Sequence, residues 1–191
     1  LKTFLKGLGI TPEADETGYI NESHSIGGFD GVNPLQMSAA YGAFARGGIY
    51  IEPYSFTKVE FLDSGETYTV TPQKRRVMEE STAYMINMIL KYAVTGGHIA
   101  AGSKSGTDVC AKTGTSTVDS SIKKQLGIKE SIIGDSWQIT YTPDYVYSLW
   151  IGYDEIKKDQ YLTTNVGSKA RKTISKLLTE GIAEKNSRFE K

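Results

Sequence analysis

The chain has 191 residues, 39% of them apolar and 23% charged, enough for one domain with its own core and too apolar for a disordered segment. Its 22 basic and 22 acidic residues cancel, which argues against nucleic acid or an anionic membrane surface as the main partner. One cysteine, Cys110, excludes an internal disulfide without settling the compartment, and no apolar run approaches the ~20 residues of a membrane-spanning helix.

Leu1, Phe4, Leu5 and Leu8 fall on one helical stripe, which Gly7 and Gly9 end. No capping residue and no initiator methionine precedes Leu1, so the chain reads as cut from a longer one. Residues 11–32 read as loop. Asn33-Pro34 then starts a helix, with Asn as cap and Pro at the first helical position. That helix is expected to bury Leu35, Ala39, Tyr41 and Phe44 and to end at Gly47-Gly48.

Alternation over the next stretch predicts a hairpin, Ile49–Leu62 against Glu66–Val70, turning at Asp63-Ser64-Gly65, with Pro53 at an edge or bulge. A helix over about Glu80–Val94 puts Tyr84, Met85, Met88, Ile89 and Tyr92 on one face, expected as core. Val109–Ser116 reads as a short strand and Ser116–Gly134 as a polar loop bordering it. Two aromatic and β-branched runs around Pro143-Asp144 form the strongest hairpin, with Trp137 in its first strand. A last helix over about Ser168–Lys185 carries Ala170, Ile174, Leu177, Leu178 and Ile182 at helical spacing. The element order predicts an α/β fold of the α+β type, an antiparallel sheet flanked by helices, rather than a doubly wound parallel sheet.

The chemistry concentrates in Ala111-Lys112-Thr113-Gly114-Thr115-Ser116. Gly106, Ala111, Lys112 and Thr113 approach the spelling of a phosphate loop, with Asp154 as magnesium carboxylate, but no strand precedes Gly106 and no helix start follows Thr113. A strand with a surface lysine is the plain alternative. The third reading is one wall of an acyl-transfer site. There a cation and hydroxyls hold a substrate carboxylate, a strand edge aligns the scissile amide, and glycine lets the strand pass close to the ligand.

Five blocks in order favour the third reading: LKTFLKGLGI, GVNPLQMSAAYGAFARGGIYIEP, ESTAYMINMILKYAV, AKTGTS and DSWQITYTPDYVYSLWIGYD. Together they resemble the C-terminal part of the transpeptidase domain of class A penicillin-binding proteins. The resemblance covers nearly the whole chain, with Ala111 where family members often carry glycine. It implies the penicillin-binding/β-lactamase-like transpeptidase fold, residues 1–185 as the C-terminal portion of one such domain, and 186–191 as a flexible tail.

The resemblance also implies a function, a peptidoglycan DD-transpeptidase acting on D-Ala-D-Ala stem peptides, acylated by β-lactam antibiotics and needing no cofactor. Its place would be the extracytoplasmic face of the bacterial membrane, with the anchor outside this chain. Lys112 would supply positive field, Thr113 and Thr115 hydroxyls, and Gly114 access. The Thr115 amide would enter the oxyanion hole, and Ser116 and Trp137 would line the substrate site. Strict alternation puts Thr115 on the face opposite Lys112, a conflict that a bulge at Gly114 would remove.

The family's nucleophile lies in S-x-x-K and a second serine in S-x-N, both upstream of the region resembled. The N-terminal half of the same domain is therefore an implied partner. Within the chain, Ser55–Lys58 has the S-x-x-K spelling but reads as strand, where i and i+3 diverge. Ser120–Lys123 and Ser121–Lys124 match within the polar loop. A DD-carboxypeptidase or β-lactamase, and a sensor that binds without turnover, remain as alternatives. Cys110 reads as buried packing, and His24 and His98 as lone residues without metal or triad spacing.

Overall fold

A computed structural model describes residues 1–13, 18–28 and 31–189. Part of the loop expected over 11–32, and the last two residues of the expected tail, lie outside the described residues.

Helix α1 (Lys2–Gly7) ends with Gly9 in the left-handed region, and Leu8 and Ile10 turn inward. Helix α2 (Pro34–Ala45) starts as expected. Asn33 accepts from the Gln36 amide while Gln36 caps the Asn33 amide, a reciprocal capping box. Of the residues expected inside, Ala39, Tyr41 and Phe44 pack against the core but Leu35 is 62% exposed, and Ala40, Gly42 and Ala43 are the most deeply covered. Small residues let α2 lie close over the sheet, while Tyr41 and Phe44 pack around Leu90, Cys110 and Tyr141.

The hairpin expected over 49–70 divides at Pro53. Strand β1 (Ile49–Ile51) pairs with β4 (Lys74–Arg76), and β2 (Lys58–Glu60) pairs with β3 (Thr67–Thr69) around the expected turn. Helix α3 (Glu80–Thr95) buries Ala83, Asn87 and Leu90. Met85, Ile89 and Tyr92, read as core, are instead 60–66% exposed. The apolar stripe is real, but the side of α3 that meets the sheet is the one carrying Asn87.

The main sheet runs β5 (Cys110–Thr117), β6 (Ile132–Tyr141), β7 (Val146–Gly152), all antiparallel, and β8 (Leu162–Thr163) pairs with the start of β6. The β6–β7 hairpin matches its expectation. Its turn is tied by Thr142, whose hydroxyl accepts from the amides of Asp144 and Tyr145. Helix α5 (Thr164–Ile182) crosses one face of the sheet, and α2 and α3 cover part of the other.

The segment expected as polar loop contains helix α4 (Ser120–Leu126). Asp119 accepts from the Ser121 amide to start it and Gly127, in the left-handed region, ends it. Capping alone, without an apolar stripe, marks this helix. At the other end of the chain, residues expected to fray are tied to the start of β5. The Asp108 amide donates to the Ser187 carbonyl, and Arg188 and the Phe189 amide both donate to the Asp108 carboxylate. Phe189 packs edge-on against Tyr141.

Candidate active site

Strand β5 positions the Lys112–Thr115 stretch, and among the described residues β6 is its only neighbour. Its outer edge therefore pairs with no described strand, the arrangement by which an extended peptide joins a sheet. Cys110, Ala111 and Val109 anchor the strand's first half in the core. Beyond them Lys112 and Thr115 emerge exposed, with Thr113, Gly114 and Ser116 half-buried.

Register assigns the faces. Lys112 pairs with Ile139 and Gly114 with Trp137, on the side where Cys110 and Tyr141 meet α3. Thr113 and Thr115 pair with Gln138 and Ser136, which face α5. The pairing is unbroken from Cys110 to Thr115, and the register shift comes between Thr115 and Thr117. The bulge invoked to bring Thr115 to the face of Lys112 thus lies one step further along, and the Thr115 side chain stays on the opposite face. A side chain at Gly114 would meet nothing closer than Trp137 Cβ at 3.5 Å. Packing within the chain does not demand glycine there, so the bare backbone is left for something outside it.

Lys112 Nζ donates to the Thr113 carbonyl at 2.7 Å. Two cavities of about 270 and 400 Å³, one beside Ser38 and Pro53 and one beside Lys91 and Asp108, do not include Lys112. Neither cavity forms a closed crevice around the Lys112–Thr115 stretch. Trp137 is half-buried and pairs with Trp150, ring centroids 6.5 Å apart. Ser116 donates to Asp135 Oδ2, and Trp150 Nε1 donates to Asp135 Oδ1 at 2.7 Å. Asp135 is not among the residues that the sequence marks, because only the strand register sets it against Ser116.

The other candidates separate from this wall. Lys112 and Thr113 lie in a strand, which removes the phosphate-loop reading. Lys58 opens β2 and is ion-paired with Glu60, so Ser55 has no helical lysine partner. Helix α4 does set Ser120 and Ser121 one turn from Lys123 and Lys124, contrary to the loop expectation, but both serines stand exposed on the surface. A lysine that serves as base must be stripped of water, and that surface does not do so. Cys110 is fully buried, its thiol donates to the Asn87 carbonyl, and burial pushes its pKa up to about 12, so it is packing rather than nucleophile. His24 is buried with Nε2 3.2 Å from Glu13, and His98 is exposed against the Tyr92 ring. Among the described residues no group of three potential metal ligands is found.

A family model described as the penicillin binding protein transpeptidase domain matches residues 7–180. The chain belongs to the penicillin-binding protein transpeptidase family. It is 35% identical over 191 residues to penicillin-binding protein 1A/1B of Bacillus subtilis, and 33% identical over 156 residues to penicillin-binding protein 1A of Streptococcus oralis. These cover 98% and 80% of the chain but only 20% and 24% of those proteins, so it spans about a fifth to a quarter of these relatives.

Among solved structures, penicillin-binding protein 1A of Haemophilus influenzae superposes with a TM-score of 0.64 at 20% identity, over 95% of this chain and 31% of that one. The penicillin-binding protein PonA1 of Mycobacterium tuberculosis superposes with a TM-score of 0.62 at 21% identity, over 92% and 45%. The class A resemblance carried by the five blocks is borne out, as is the transpeptidase fold with its antiparallel sheet and flanking helices.

Proposed function

We propose that the protein carrying these residues is a peptidoglycan DD-transpeptidase whose nucleophilic serine lies on a segment outside the 191 residues. The observation that carries the reading is Lys112 emerging beside bare Gly114 on the open edge strand of a penicillin-binding fold. The stem peptide adds along that edge. With the terminal carboxylate at the strand edge between the two faces, Lys112 supplies positive field from one face and Thr113 and Thr115 supply hydroxyls from the other. The Thr115 amide serves the oxyanion, where one such donor is worth about 2.7–4 kcal/mol in the transition state.

The upstream serine attacks the D-Ala-D-Ala carbonyl and gives its proton to the S-x-x-K lysine. The terminal D-Ala leaves as the amine that takes up that proton. An amine from a neighbouring stem then displaces the serine, forming the cross-link. β-Lactams acylate the same serine. The missing side of the crevice is the N-terminal half of the domain, and the exposed stripes Met85–Ile89–Tyr92 on α3 and Ile174–Leu177–Ile182 on α5 supply apolar surface for it to cover. An anchor outside the chain holds the enzyme on the extracytoplasmic face of the membrane; among the described residues no helix is long and apolar enough to cross one.

A fluorescent penicillin tests this directly. The isolated chain stays unlabelled, the chain extended through S-x-x-K and S-x-N is labelled, and Lys112→Ala in the extended protein lowers labelling at least about a hundredfold. Covalent labelling of the isolated chain at Ser55, Ser120 or Ser121 would sink the proposal. Cross-linked product in the presence of an acceptor amine separates a transpeptidase from a hydrolase.

A further inference from the structure

The register shift after Thr115 is a built feature. Thr115 pairs with Ser136 and Thr117 with Ile133, so the single residue Ser116 opposes two, Gly134 and Asp135. Bulges of this kind bend a strand and re-aim its side chains, and they recur beside active sites. Here the irregularity is held by three side chains. The Asp135 carboxylate accepts from the Ser116 hydroxyl with one oxygen and from the Trp150 indole with the other. Trp150 is in turn paired with Trp137.

The surrounding glycines are fitted to this clamp. A Cβ on Gly134 would stand 2.6 Å from Ser116 Oγ, where the hydroxyl now reaches across the bulge. A Cβ on Gly152 would stand 2.7 Å from the Trp150 ring and 2.9 Å from the Gly134 carbonyl. Strands β5, β6 and β7 are thereby locked together at one point, immediately beyond the Thr115 amide.

We propose that Asp135 is a positioning residue for acyl transfer: from the bulge in β6 it holds Ser116 and so fixes the facing end of β5 and with it the Thr115 amide, while Trp150 fixes the carboxylate. This rests on the transpeptidase reading above and extends it to residues outside the Lys-Thr-Gly-Thr stretch. It also changes the part of Ser116. A hydroxyl whose proton goes to Asp135 offers only lone pairs to anything else, so it cannot donate to a substrate carboxylate. That contact falls to Thr113, Thr115 and Lys112, and Ser116 acts through the backbone it holds. The effect belongs on the chemical step, because an oxyanion donor displaced by a fraction of an ångström loses more in the transition state than in the ground state.

The test uses the full-length protein carrying this chain. Rapid-quench labelling with a fluorescent penicillin over a range of concentrations separates the dissociation constant of the initial complex from the acylation rate constant. Asp135→Ala is expected to lower the acylation rate constant about tenfold or more, with the dissociation constant changed less than about threefold. Ser116→Ala loses a substantial part of that rate, and Ser116→Thr, which keeps the hydroxyl, regains most of it. The double variant Asp135→Ala/Ser116→Ala is no slower than Asp135→Ala alone, because both remove one connection.

A purely structural Asp135 would lower the melting temperature and leave the rate constant of the folded protein unchanged. Acylation rate constants within about twofold of the unmodified protein for both single variants overturn the proposal. If Asp135→Ala does not fold, Ser116→Ala against Ser116→Thr decides alone, with equal rates overturning it. Failure of the unmodified protein to label at all overturns the transpeptidase reading, an outcome distinct from normal labelling of the variants.

Discussion

On the side of the main sheet that meets α2 and α3, the buried groups are Leu90, Cys110 and Tyr141, with Tyr41, Phe44 and Ile86 packed around them. On the side that meets α5 they include Ser136, Gln138, Thr140, Ser175 and Thr179, with Ile133 and Leu162 beside Gly167. Strand β6 alternates between these two plans residue by residue. The first face is held by apolar burial around one polar bridge: the Asn87 side chain accepts from Tyr141 at 2.8 Å and donates to the Phe44 carbonyl at 3.0 Å. The second is held by hydroxyls. Thr179 donates to the Ala101 carbonyl, Tyr147 donates to the Ser175 carbonyl, and Ser136 donates to the Gly167 carbonyl.

A polar sheet face selects the polar side of its helix. Helix α5 therefore docks through Gly167, Ser175 and Thr179 and leaves Ile174, Leu177 and Ile182 outward, 38–64% exposed. Gly167 has no room for a side chain, since a Cβ there would stand 2.9 Å from Leu162 and 3.0 Å from Ile133.

The comparison is most severely challenged on the α3 side. Asn87→Ala removes both bonds of the bridge and strands a buried hydroxyl and a carbonyl; a loss of about 3 kcal/mol in urea unfolding is expected. A loss under about 0.5 kcal/mol would show that the bridge is idle.

Next comes Asp108, 3% exposed beside Lys91 and Arg188. Burial alone would raise its pKa, but hydrogen bonds from Lys91, Arg188 and the Phe189 amide outweigh that and hold it below the usual carboxylate value. Its contribution is therefore complete above about pH 4, the unfolded value, and is lost as pH falls through the folded value. Asp108→Asn is expected to cost about 2 kcal/mol at neutral pH and to flatten the acid limb of the stability curve. An unchanged acid limb would contradict the assignment.

On the α5 side, Thr179→Val keeps the shape and removes the hydroxyl, and a loss of about 1.5 kcal/mol is expected from the same unfolding measurement. Smallest is Leu177→Ser, on the outward stripe, with less than about 0.5 kcal/mol in the 191-residue chain. A clearly larger loss in the full-length protein would show that the stripe is covered there; equal small losses in both would leave it a solvent face.

Much of the fold is legible because local chemistry agrees with tertiary need. The Asn33 cap, the Pro143-Asp144 turn and the extent of α3 and β5 fall within a residue or two of expectation. Burial is misread where apolar spacing alone is used: it locates a stripe, but Leu35 and Met85 point away from a sheet that receives small or polar residues instead, as Leu177 does on α5. Strand β4 is missed because Lys74-Arg75-Arg76 carries no strand signature; it is held by pairing with β1 and by Arg75 lying over the Tyr50 ring, 4.3 Å from its centroid. Of the candidate site, the Lys112–Thr115 stretch is legible as a strand from its own spelling. The Asp135 clamp is not, because it needs a register shift that brings Ser116, Asp135 and Trp150 together from three strands.

Ser187, Arg188 and Phe189 are tied by hydrogen bonds to Asp108, two positions ahead of the strand that carries Lys112. A change that displaces Ser187, Arg188 or Phe189 therefore pulls on Asp108, four residues before Lys112. Trimming the chain back to Lys185 discards Arg188 and Phe189, and with them two donors to Asp108 and a ring against Tyr141.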